Sequence, residues 1–153
     1  MWRRVSSFTV SHGPSLLGIV VDSSVLIAAE RKRLTATEVI RSIREILGDV
    51  PIAMCPLTIA ELGHGIHRAD TLERAHQRRQ FLDELKAHIP VYPVTDATAE
   101  IIARIGGVLA AEGVTLPLAD LIIGACAIEL GYTIATGNMR DFSRIPGLQV
   151  KKL

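Results

Sequence analysis

Gly18-Ile-Val-Val-Asp-Ser-Ser-Val-Leu-Ile27 is the stretch whose reading decides the fold. From Leu16 to Val21 the chain is almost unbroken apolar and rich in β-branched residues. The run is too short for a buried helix and suits a strand covered on both faces. It stops at Asp22, and Ser23 and Ser24, both good helix N-caps, precede a renewed apolar surface at Val25, Leu26 and Ile27. An acid therefore stands at the carboxyl end of a strand where a helix begins. In open parallel sheets that edge is where ligands bind. A lone buried carboxylate is costly, so Asp22 is either an ordinary helix cap or part of a functional site.

Working outward, the remaining segments repeat the pattern. Thr35-x-x-Glu38 is a capping box opening a helix to Leu47, which Gly48 ends. Ile52 to Cys55 is a second short buried strand. Pro56 starts another helix, in which Thr58-x-x-Glu61 also matches a capping box. Thr71 to His88 is a long helix with Leu72, Ala75, Arg79, Leu82, Leu85 and Ile89 as its inner stripe. Arg74, Arg78, Arg79 and Lys86 make its outer side basic, and Arg31-Lys-Arg33 reads as a solvated basic loop. Val91 to Val94 is a third strand, which Pro93 confines to an edge or an end. Thr95 and Asp96 cap a helix with Ile101, Ile102, Ile105, Val108 and Leu109 as core. Asp120 to Ile128 is apolar nearly all round, so that helix is central and buried. Tyr132 to Thr136 is the fourth strand, Met139 to Phe142 a single helical turn, and Leu148 to Val150 a last strand. Strands alternating with helices mean an α/β fold: a mostly parallel sheet of four to five strands with helices on both faces.

The 153 residues suit one domain, read as 18–153 behind an N-terminal extension at 1–17. With 48% hydrophobic but only 4% aromatic residues, the core must be aliphatic. Lys plus Arg number 17 against 16 for Asp plus Glu, so any nucleic-acid contact must come from where charges lie rather than from their sum. Cys55 and Cys126 read as small buried hydrophobes in a reducing compartment, without zinc-ligand spacing. His64 and His67, three apart, are a weak metal pair beside the more ordinary solvated face. No apolar run approaches the ~20 residues needed to span a membrane. Met1-Trp-Arg-Arg4 followed by apolar residues faintly resembles a secretory signal, but His12-Gly13-Pro14 interrupts it. The apolar stretch also ends in Asp22 rather than at a small-residue cleavage site, so a cytoplasmic location is expected.

Asp22, Glu61 and Asp120 each stand at a strand end or in the first turns of a helix, and Asp141 follows the fourth strand. In a parallel sheet these positions share one rim with Ser23, Thr136 and Asn138. Carboxylates ~5 Å apart repel by roughly 3 kcal/mol per pair at an effective dielectric near 20, a cost a bound cation removes. Oxygen-only ligands from Asp22, Asp120 and Glu61 point to Mg²⁺ or Mn²⁺, ions that also bind phosphate oxygens. The matching chemistry is phosphodiester hydrolysis, with Arg140 and Arg144 as candidate contacts to the substrate's phosphates. A phospho-acceptor signalling domain would want paired acids after the first strand and a late Lys. A haloacid-type phosphatase would want an acid where Ser24 stands.

Four segments together resemble PIN domains, most of all the VapC toxins of bacterial VapBC toxin–antitoxin pairs. They are Val-Val-Asp22-Ser-Ser-Val-Leu-Ile, Leu-Thr-Ile-Ala-Glu61-Leu-Gly-His-Gly, Leu-Ala-Asp120-Leu-Ile-Ile-Gly-Ala and Ala-Thr136-Gly-Asn138-Met-Arg-Asp141-Phe-Ser-Arg-Ile-Pro-Gly. The resemblance implies a metal-dependent endoribonuclease acting on RNA, usually a homodimer, held inactive by a VapB-like antitoxin. It places the family's acids on Asp22, Glu61 and Asp120, with the more variable fourth on Asp141. The lead before Asp22 is longer than in typical members. The alternative is a PIN-like RNA-binding or signalling module without cleavage activity.

Overall fold

The computed structural model describes residues 16–153. In chain order the elements are β1 (Ile19–Val21), α1 (Ser23–Arg31), α2 (Ala36–Leu47), β2 (Ile52–Ala53), α3 (Pro56–His67) and α4 (Leu72–His88). They continue with α5 (Asp96–Ala111), α6 (Leu118–Leu130), β3 (Thr133–Thr136), α7 (Met139–Phe142) and β4 (Val150–Lys152). The strands form one sheet in the order β2-β1-β3-β4, and every neighbouring pair is parallel. β1 is an interior strand: Val20 stands opposite Ala53 on one side and Ile134 on the other.

The two-residue period of the strands divides the core in two. Ile19, Val21, Ile52, Met54 and Ala135 face a cluster with Leu26, Val39, Ile43, Leu62, Leu82 and Leu85, from α1 to α4. Val20, Ala53 and Ile134 face the opposite cluster with Ile105, Leu109, Ile123, Ala127 and Phe142, from α5 to α7. Both faces of β1 are thus covered, which is why its sequence carries no alternation. At its start the ring of Tyr132 fills the place a side chain on Gly18 would take.

Several sequence expectations need correction. Leu16 and Leu17 precede the first strand rather than belong to it. Val91–Val94 is not a strand. Val91 makes a single parallel bridge to Met54, and pairing ends after the Tyr92 amide bonds the Met54 carbonyl, because Pro93 has no N–H to offer. The last strand lies two residues later than expected. On α4, Leu72 is 91% exposed and Arg79 is exposed as well. Phe81, Leu82 and Leu85 centre the inner face near Arg78, and at roughly 100° per residue Leu72 and Arg79 fall about a quarter-turn or more away. Val108 of α5 is likewise exposed, leaving Ile105 and Leu109 as the buried core. Thr35 accepts from the Glu38 amide, as a cap should, but Glu38 does not reciprocate; the full box is at Thr95 and Thr98. Cys55 and Cys126 are buried and free, and their sulfurs lie 3.3 Å apart across the second cluster. Expectations about residues 1–15 lie outside the described residues.

Candidate active site

The carboxyl ends of β1 and β3 lie side by side, so Asp22 and Thr136, distant in sequence, meet directly. Asp22 occupies the N-cap position of α1 but makes no capping hydrogen bond with its side chain. Its carboxylate points elsewhere: Ser24 Oγ donates to Oδ2 at 2.7 Å and Thr136 Oγ1 donates to the same oxygen at 2.9 Å. Asp22 is only 5% exposed and Thr136 is fully buried, so these bonds act in a weakly screened setting.

The turn after β3 sets the direction of both donors. The Gly137 amide donates to Ser24 Oγ at 3.0 Å, and the Asn138 amide donates to Thr136 Oγ1 at 2.9 Å. Each hydroxyl accepts from a backbone N–H and has its own proton left for Asp22. Both protons converge on Oδ2. Oδ1 has only a long contact with Ser23 Oγ, at 3.5 Å, and Ser23 donates at shorter range to Glu61 Oε2, at 2.6 Å. One oxygen of Asp22 is therefore anchored, while the other keeps its acceptor capacity.

Glu61 is not a capping-box partner. The N-cap of α3 is Cys55, so Thr58 falls inside the helix, where its hydroxyl is buried and has no hydrogen-bond partner. Asp120 lies in the first turn of α6. Its carboxyl is pushed up to about 6, first by burial, then by the charges of Asp22 and Asp141, by a hydrogen bond to Asp141, and by Glu61. The four acids thus feel one another electrostatically. Asn138 Nδ2 donates to Asp141 Oδ2 at 3.3 Å, which ties Asp141 to the same turn. Among the described residues, no three His, Cys, Asp or Glu side chains form a metal cage as they stand. The donor set is all oxygen and all anionic, and that suits a hard divalent cation.

Of the polar residues expected beside the acids, Ser23 reaches Glu61, Thr136 reaches Asp22 and Asn138 reaches Asp141. Ser24 and the Gly137 amide were not foreseen. Ser24 was readable only as a helix cap, and its place two residues beyond Asp22, within reach of that carboxylate, was the available signal. Arg140 on α7 and Arg144 just beyond it are both exposed.

A family model described as PIN domain matches residues 19–148. The chain is 31% identical over 134 residues to a protein named Ribonuclease VapC from Rickettsia bellii, covering 88% of this chain and 95% of that one. Among solved structures it is similar to VapBC2 from Rickettsia felis bound to a DNA fragment from its promoter. The TM-score there is 0.76 at 19% identity, over 89% of this chain and 98% of the other. It is also similar to VapBC-5 from Mycobacterium tuberculosis, a member of the VapBC family of toxin–antitoxin systems. In that case the TM-score is 0.67 at 27% identity, over 90% and 98% of the two chains.

Proposed function

Since the chain belongs to the PIN domain family, we propose that it is the ribonuclease toxin of a toxin–antitoxin pair, an endoribonuclease that hydrolyses RNA phosphodiester bonds with Mg²⁺ or Mn²⁺. The observation that carries this reading is an anchored Asp22 carboxylate together with Asp120, whose own carboxyl is raised by burial and by Asp22, Asp141 and Glu61. Asp22, Asp120 and Glu61 are the residues that would hold the cation, and a cation there would supply an activated water and neutralise charge building on the phosphate. The chain's own groups prepare that chemistry. Ser24 and Thr136 hold Asp22 by one oxygen, and Ser23 holds Glu61. Asp120 keeps a proton at acid pH and must release it to bind metal, while Asn138 orients Asp141. Arg140 and Arg144 remain candidates for phosphate contacts near Asp141.

The similarity to VapBC complexes supports a VapB-like antitoxin as partner, and we extend it to a homodimer working in the cytoplasm, where RNA and antitoxin are both present. Among the described residues no helix is long and apolar enough to cross a membrane.

The test is cleavage of an RNA oligonucleotide with Mg²⁺, with Mn²⁺ and with EDTA, for the parent and for Asp120→Asn. Cleavage is expected with either metal and to disappear with EDTA or in the variant. Undiminished cleavage in EDTA would remove the metal from the mechanism. Binding without cleavage under every condition would mark the chain as an RNA-binding module.

A further inference from the structure

We propose a second RNA-contact site outside the acid cluster: the arginine-lined cavity between the end of α1 and α4 seats backbone phosphates of the bound strand. This rests on the ribonuclease reading above. The cavity has a volume of about 370 Å³, and Arg31, Arg33, Arg74 and Arg78 line it with one acid, Glu30, while Asp70 lies 3.6 Å from Arg74 outside the lining. A neighbouring cavity of about 180 Å³ shares Arg31, Arg78 and Glu30 with it and is also lined by Glu61. The basic walls are therefore continuous with the acid rim.

The cavity is also built. Arg78 is half-buried, its Nη1 donates to the Gly65 carbonyl at 2.6 Å, and its Nε lies 3.5 Å from Glu30. That guanidinium is held in place before any ligand arrives, which lowers the ordering cost of a contact. Arg33 has φ +59°, a left-handed backbone that side-chain-bearing residues other than Asn and Asp seldom adopt. The chain makes its turn after α1 there with an arginine, beside the cavity. Guanidinium groups suit phosphate because their fork of donors matches two phosphate oxygens at once.

A nucleic-acid strand fits this geometry better than an acidic peptide. Leu34 and Phe81 are the apolar side chains lining the larger cavity, against four arginines, while the smaller one adds Ile27 and Leu62. The charged lining is concentrated in the larger cavity, which is where the phosphates are placed.

The experiment uses the full chain carrying Asp120→Asn, which is expected to bind RNA without cutting it. Affinity for a labelled single-stranded RNA oligonucleotide is measured over a range of KCl concentrations, with and without Arg31→Gln plus Arg74→Gln. Arg44→Gln plus Arg79→Gln removes the same net charge from sites outside the cavity and serves as the control. Loss of two phosphate contacts should lower affinity about tenfold or more and flatten the salt slope by about 1.4. The control pair should change neither. Equal loss in both pairs, or no loss in the cavity pair, overturns the proposal. So does a cavity pair that keeps RNA affinity but loses binding to poly-glutamate, which would assign the cavity to an acidic peptide. The chain without Asp120→Asn is assayed in parallel on the same RNA. If it cleaves while the cavity pair binds like the control, only the cavity assignment falls. If it fails to cleave with any divalent metal, the ribonuclease reading falls instead.

Discussion

Asp120 links the rim's electrostatics to measurable pH effects. Its carboxyl ordinarily titrates at 3.8 and here at about 6, so the folded chain binds this proton more tightly than the unfolded one does. Between those values stability falls as pH rises, and above about 6 this contribution is level. Without metal, Asp120→Asn should therefore melt at or above the parent near neutral pH, and its melting point should vary less between pH 4 and 7. A strongly destabilised variant would mean that Asp120 is a structural carboxylate. Metal-dependent cleavage should climb as pH passes 6, because the metal must displace that proton. Glu61 and Thr58 offer a second separation. Glu61→Gln keeps an acceptor for Ser23 but loses its charge, so it should melt close to the parent and lose most cleavage. Thr58→Val replaces a buried, unpartnered hydroxyl with a methyl group of similar shape, so it should be neutral or stabilising by up to about 1 kcal/mol with activity intact. Equal cleavage by Glu61→Gln in limiting Mg²⁺ would remove Glu61 from the site. Asp22, Glu61 and Asp120 were legible in the sequence because each interrupts an apolar segment, and Asp141 only because it follows the strand that ends at Thr136. The hydroxyl assigned to each acid was not, because Thr136 reaches Asp22 across 114 residues through sheet pairing alone.

At the level of elements, β1 and the turn after β3 act as one unit. Two amides of that turn feed two hydroxyls, and both hydroxyls feed one carboxylate oxygen. Thr136→Val should break the buried arm and cost roughly 1.5–3 kcal/mol, the usual range for a hydrogen bond to a charged group. Ser24→Ala, at a less buried position, should cost less. Each should also reduce cleavage, because Asp22 gains freedom to rotate. Equilibrium urea unfolding beside initial rates would check both, and full activity after a large loss of stability would detach the network from the chemistry. Unbroken apolar strands and a nearly all-apolar helix α6 were readable from composition. The face of α4 was not: its few large apolar residues leave the phase open, and half-buried Arg78 lies where the sequence suggested solvent. Val91–Val94 has strand composition, yet Pro93 ends its pairing after one bridge.

Across the whole molecule, near-neutral net charge conceals a basic cavity beside an acidic rim, a segregation that emerges only when α1 and α4 pack together. The sheet order carries a further consequence, for synthesis. β3 enters between β1 and β4, so β1 has β2 for a neighbour long before its second partner exists. At roughly 5–20 residues per second the ribosome needs about 6–23 s to travel from Asp22 to Thr136. During that interval the nascent chain holds three of the four acids by its end, but neither the hydroxyl nor the turn that anchors Asp22. It also presents an open, wholly apolar strand edge, the kind that invites pairing with other chains. A chain stopped after Leu130 should therefore fail to cleave RNA and collect in the pellet when translated without chaperones. A soluble, cleaving fragment of that length would show that the sheet assembles by another route. On the ribonuclease-toxin reading proposed above, cleavage is then withheld until late in translation, which would give an antitoxin time to meet each new copy before it can act.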